Sequence, residues 1–254
     1  MVSIGIEGFG IYLPQQRHTA AYIADRSGVP EEILATKFGL KSKTVPGPDD
    51  HTVAMGVNAA RIACQRANIE PTAVDVVIWA GEVYAEHPLQ TYGIKLQHDL
   101  GATNAWAFDI NQRCGTFMVG LKLAKSLMAT DDSIQRVLIA SGYRNCDLIN
   151  YENPRSRFMF NLAASGAAMV VRRDYPRNRV LATSVKTDGR FAEDVYVPGG
   201  GTVQPMTVAG GEGYAPGAHE IIEQKRNYLD VPDPAGMKDR LDKLSMSNFV
   251  AVIE

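Results

Sequence analysis

The sequence predicts an α/β protein built in layers, and three observations point there. Short apolar runs alternate with amphipathic stretches through residue 185, the runs are continuous in hydropathy, and one helical stretch is apolar nearly all round. A continuous apolar run of strand length suits a strand covered on both faces. A helix without a polar side belongs inside the molecule.

The elements follow in order. Residues 4–13 read as a strand that ends at the turn signal Pro14. Residues 51–67 place Val53, Val57, Ala60 and Cys64 three or four apart, one face of a helix, so Cys64 is expected in the core. Residues 74–80 form a buried strand, 90–100 a helix, and 105–110 a second buried strand. Residues 114–128 are apolar except at Lys122, Lys125 and Ser126, which predicts a central helix. A further strand covers 137–141, and the small residues of 163–172 turn into another at Met169, Val170 and Val171. Residues 180–185 start a second round of the same theme. A Pro- and Gly-rich stretch, 198–217, precedes a charged helix at 235–254 with Met237, Leu241 and Leu244 on one face. That helix carries no stop signal, which suggests that the chain continues.

Composition narrows the function. A net charge of −2, with both signs interspersed, does not suggest nucleic acid or an anionic membrane as partner. No apolar run reaches the roughly 18 residues of a membrane span, and the first residues lack a signal-peptide pattern. A cytoplasmic location is expected. Three cysteines at unrelated spacings argue against a disulfide framework, and no metal spacing or phosphate loop occurs, so no metal is expected.

The segment Phe108-Asp109-Ile110-Asn111-Gln112-Arg113-Cys114 carries chemistry. A strand delivers Cys114 through a short turn to the start of a helix, where unpaired backbone N–H groups and the helix dipole favour a thiolate. The competing account is a small buried cysteine filling a gap. Cys146 lacks such a setting and reads as structural. His219, on a probable helix, reads as a surface residue.

The segment GATNAWAFDINQRCGTFMVGLKLAKSL resembles the nucleophile region of ketoacyl synthase III and hydroxymethylglutaryl-CoA synthase. IGIEGFGIYLP, EEILATKFGLKSK, VDVVIWAGE, LAASGAAMVV and VKTDGRFAEDVYVPGGG have counterparts in the same order, covering residues 2–215. The resemblance implies the layered α-β-α-β-α thiolase fold, with a complete N-terminal half at 1–173 and an incomplete C-terminal half at 174–254. It implies an acyltransferase: Cys114 takes an acyl group from acyl-CoA, and a carbanion from a second thioester attacks it in a Claisen-type condensation. The backbone N–H of Cys114 would join the oxyanion hole. No cofactor is implied, the CoA thioester being substrate.

Other roles come from the same resemblance. Thr116 and Phe117 would shape the acyl pocket, and Gly210 and Tyr214 would line the pantetheine arm. Lys37 falls where the family meets nucleotide phosphates, and Arg155 or Arg157 where a second cation is expected; each is otherwise a solvated surface charge. Ile33 stands where an aromatic residue stacks on adenine in the family, which counts against CoA affinity. Glu82, ending VVIWAGE, matches the general base of the hydroxymethylglutaryl-CoA synthases, where ketoacyl synthase III has a small hydroxyl residue. It reads either as that base or as an exposed residue opening a loop. The family's catalytic His and second oxyanion donor have no match before residue 254, so the chain alone is not expected to complete a cycle. The alternative class is a non-catalytic subunit that binds a partner synthase or acyl carrier protein. A homodimer is implied, closed along the strand before the nucleophile.

Overall fold

The computed structural model describes residues 2–81, 83–207, 213 and 215–253. Glu82, Gly210 and Tyr214 lie outside the described residues. The chain forms two compact units, each drawn from three stretches: Met1–Arg17, Thr44–Arg144 and Ala163–Val185, and His18–Lys43, Asn145–Leu162 and Lys186–Glu254. This is a partition by compactness, distinct from the division into halves at 173/174 that the resemblance implies.

The first unit is built on a mixed five-stranded sheet. Its strands are β1 (Ile4–Tyr12), β4 (Val76–Ala80), β5 (Trp106–Ile110), β6 (Arg136–Tyr143) and β7 (Ser165–Arg173), in the order β1-β7-β6-β4-β5. β4 runs parallel to both β5 and β6, whereas β7 is antiparallel to β6 and β1. One face is covered by α3 (Thr52–Ala67) and α4 (Tyr92–Leu100), the other by α5 (Thr116–Thr130). β4 is buried at every residue, as its unbroken apolar run requires. The helix α3 lies close on the sheet because glycines face it. A Cβ on Gly142 would stand 1.6 Å from the Thr52 carbonyl oxygen, and one on Gly166 would stand 2.0 Å from that of Met55. Only glycine permits this approach. Cys64 is buried here as expected, and desolvation pushes its thiol up to about 11.

Three expectations need correction. β5 is an edge strand, half exposed along its length, with Trp106 at 49%. Its apolar sequence comes from needing cover on two faces, but it has a neighbour on one side only. The helix α5 is not buried all round. It buries Thr116, Gly120, Leu121, Ala124 and Met128, while Met118 remains 48% exposed, because a single sheet face packs on it. Residues 180–185 form no strand. The neighbouring contacts are one bridge between Arg179 and Gly5 and the Val180 N–H bond to Ile4 O.

The second unit contains α1 (Ala20–Ser27), α2 (Glu31–Thr36), α6 (Ala218–Glu223) and α7 (Pro234–Ile253) around a core of Ile23, Leu34, Ile149, Phe160 and Val231. Short strands β2 (Arg17–Thr19) and β3 (Ser42–Thr44) pair where the units meet along the chain. Thr19 caps α1 by accepting from the Tyr22 N–H, and Gly28 ends it in the left-handed region. His219 is exposed on α6, as read from the sequence. Among the described residues no helix is long and apolar enough to cross a membrane, and no group of three His, Cys, Asp or Glu could hold a metal.

Candidate active site

Cys114 stands in a single 3-10 turn, Arg113–Gly115, between the end of β5 and the start of α5. This corrects the expected position in the first helical turn by two residues, and it leaves the thiol exposed. The turn is tight because Arg113 adopts φ +50, a conformation costly to a residue with a Cβ. Several bonds hold it. The Gln112 N–H donates to Thr116 Oγ1 at 2.9 Å, Thr116 Oγ1 donates to Arg113 O at 2.5 Å, and the Arg113 N–H donates to Asn111 Oδ1 at 3.1 Å. Gly115 packs against the Gln112 side chain, which a Cβ would overlap at 2.2 Å from Oε1. Gly115 precedes α5 with no side-chain cap, and the Thr116 N–H donates to Arg113 O. An exposed thiol just before a helix start is a setting that suits a nucleophile.

Thr116 is buried, and its hydroxyl braces the turn that carries Cys114. Phe117 lines an apolar groove of about 340 Å³ with Ile6 and Ile11 of β1 and Met169 of β7. Cys114, Thr116 and Phe117 are thus brought together in the first unit. Of the position-82 loop, the described neighbours Gly81 and Val83 flank the C-terminal end of β4, where Ala80 is level with Ile110 of β5. The loop and the Cys114 turn leave the same end of the sheet on adjacent strands.

The expected CoA-binding cations lie in the second unit. Lys37 is exposed at the end of α2. Arg155 is not a free cation: its Nε and Nη2 donate to Asp230 at 3.0 and 2.6 Å, and Asn153 donates to the same carboxylate. A partner 75 residues away in sequence leaves no local signal. Cys146, read as lacking a basic neighbour, has Lys43 in its surroundings. Lys43 is buried, donates to Leu162 O at 2.8 Å and stands 5.0 Å over the Tyr151 ring; burial lowers its amine to about 8.

The anchor that sequence reasoning passed over is Asp109. It was read as part of the segment leading to Cys114, yet both its oxygens accept backbone N–H groups at the start of α4. No spacing rule joins a strand carboxylate to a helix start so far upstream.

Known proteins place this architecture. The 3-oxoacyl-[acyl-carrier-protein] synthase III family profile matches residues 108–189, which include Cys114. The β-ketoacyl-[acyl-carrier-protein] synthase III of Roseiflexus castenholzii is 26% identical over 251 residues, 97% of this chain and 70% of that protein. The one from Caldanaerobacter subterraneus is 28% identical over 228 residues, covering 90% of this chain and 64% of the relative. A 2.1 Å crystal structure of a 3-oxoacyl-(acyl-carrier-protein) synthase III superposes with TM-score 0.75 at 23% identity, over 96% of this chain and 72% of that one. The chain thus spans about two thirds of the length of the relatives it matches. The fold is that of the thiolase-type condensing enzymes. Within that class the chain is similar in sequence and in fold to the ketoacyl synthase III proteins.

Proposed function

We propose that this chain is the acyl-accepting part of a ketoacyl synthase III-like acyltransferase, in which Cys114 carries the acyl group. The observation that carries this reading is the exposed cysteine on a strained turn before an uncapped helix start. The Cys114 thiolate attacks the thioester carbonyl, its backbone N–H and the helix start hold the oxyanion, and the CoA thiolate leaves. The acyl-enzyme is then attacked by the carbanion of a second thioester. The names of the relatives favour the ketoacyl synthase reading over the hydroxymethylglutaryl-CoA synthase one. Acyl-CoA and an acyl carrier protein are the partners this reading supplies, with no separate cofactor and a cytoplasmic setting. Peptide mass spectrometry after incubation with acetyl-CoA tests it. A +42 Da acetyl adduct confined to Cys114, and lost in Cys114→Ala, is the expected result; an adduct elsewhere or none overturns it.

Glu82 is proposed as the base that removes the α-proton of the second thioester. In support, the described residue before it, Gly81, follows the end of β4, where Ala80 is level with Ile110 of the nucleophile's strand. Deuterium uptake into the acetyl group from D2O, lost in Glu82→Gln, checks the role. A second copy is proposed to pair along β5. That strand is an open sheet edge, and Trp106 stacks on Phe108 there with ring centroids 5.3 Å apart. Concentration-dependent sedimentation, weakened by Trp106→Glu, reads that out.

A further inference from the structure

The turn of Cys114 is closed by Gln112, which reaches across Arg113 and Cys114 to the two residues beyond them. Three contacts do this. The Gln112 carbonyl accepts the Gly115 N–H at 3.2 Å, and the Gln112 N–H donates to Thr116 Oγ1 at 2.9 Å. The side chain lies over Gly115, where a Cβ would stand 2.2 Å from Oε1, 3.1 Å from Cδ and 3.5 Å from Nε2. Any residue with a Cβ would displace the amide. Gly115 has φ −85, outside the left-handed region, so the side chain above it rather than the backbone calls for glycine. The seat is costly. Gln112 Oε1 is buried and finds no hydrogen-bond partner among the described residues, which destabilises the fold, as does Arg113 at φ +50. Two such costs stand beside the cysteine.

We propose that Gln112 is a positioning residue for Cys114, its side chain seated on Gly115 so that the Cys114–Gly115 peptide keeps the orientation that thioester attack requires. This rests on the reading of Cys114 as the acyl acceptor. Arg113 and Cys114 lie between Gln112 and the two residues it clasps, so neither turns without breaking one of those contacts. Thr116 Oγ1 closes the same loop on Arg113 O. A side chain present for stability alone would be an apolar one of similar length, which fills the space without a buried oxygen lacking a partner.

The experiment uses the whole chain with Gln112→Ala, Gly115→Ala and the double variant. Three quantities are read on each: acetylation of Cys114 by saturating acetyl-CoA, its alkylation by iodoacetamide, both by peptide mass spectrometry, and the urea midpoint. Gln112→Ala is expected to lose about tenfold to a hundredfold in acetylation, the cost of a small misplacement. Its alkylation should be unchanged and its urea midpoint equal to the parent's or higher, because the oxygen without a partner is gone. Gly115→Ala evicts the amide and should lose as much in acetylation. The double variant should lose no more than the slower single one, since both remove the same contact. If Gly115→Ala folds poorly, Gln112→Ala alone decides. Acetylation in Gln112→Ala as fast as in the parent overturns the proposal, and so do losses that multiply in the double variant. A fall in alkylation or in urea midpoint that matches the loss of acetylation indicates a general structural role and overturns it too. A parent chain that takes no acetyl group on Cys114 sinks the nucleophile reading itself, and the positioning role falls with it.

Discussion

The two faces of the five-stranded sheet differ in how completely they are closed. Under α3 and α4 the sheet is sealed. Val53, Trp79, Leu96, Leu138 and Val170 share one core there, and glycines let the helix backbone approach the strands. Under α5 the seal is partial: Leu121, Ala124 and Met128 pack inward, but Met118 is open and Phe9 on β1 is 55% exposed. The contrast shows a division of labour. The closed face packs tightly, and the exposed Cys114 stands just before the helix on the open one.

The contrast breaks first at the closed face. Trp79 is 1% exposed, and Trp79→Ala is expected to cost about 3–5 kcal/mol, as a large core side chain replaced by a cavity does. Urea unfolding measures it. A loss below about 1 kcal/mol would show that this face is not the tightly packed one. Gly142→Ala comes next. The new methyl meets the Thr52 carbonyl, so α3 must lift, at an expected cost of about 1–3 kcal/mol for overpacking.

The two cysteines sharpen the same comparison. Cys64 lies within the closed core and Cys114 on the open side. Iodoacetamide at neutral pH should label Cys114 quickly and reach Cys64 only through global opening. Cys64 also gives a pH effect whose sign is fixed. Its folded thiol is raised to about 11 from an ordinary 9.0, mainly by burial. Above 9 the unfolded chain releases this proton first, so the contribution is whole below that pH and is lost as pH climbs toward 11. Chemical unfolding at pH 8, 9.5 and 10.5 should show a steeper fall in the parent chain than in Cys64→Ala. Parallel profiles would contradict burial of the thiol.

Much of this was readable from residue order, for physical reasons that also explain the rest. β4 declares itself because a strand buried on both faces has no polar residue to break its run. The helix α3 shows the 3.6 period, and Cys64 takes its inward place. Cys114 was legible from the strand, the turn and the small residues around it. Exposure was not. The sequences of β5 and α5 record how much apolar surface each carries, while the number of neighbours that cover it depends on strand order. Partners distant in sequence were equally hidden. Arg155 looked like a free cation until the chain returned with Asp230, and Asp109 looked like a residue of its own strand until α4 folded onto it.

The smallest effect is the most discriminating. Met118 lies on the open side of α5, so Met118→Ala should change stability by no more than about 0.5 kcal/mol, the ordinary range for a surface position. Its side chain touches solvent where Trp79 touches only protein, and a truncation leaves no cavity for the fold to support. The measurement has to be made at two protein concentrations. A loss that stays small at both confirms an open face. A loss of about 2 kcal/mol that grows as the protein is concentrated would mean that a second copy covers α5 in solution, because stability linked to association rises with protomer concentration. In that event the dimer would cover the open face itself, and access to Cys114 would depend on the interface.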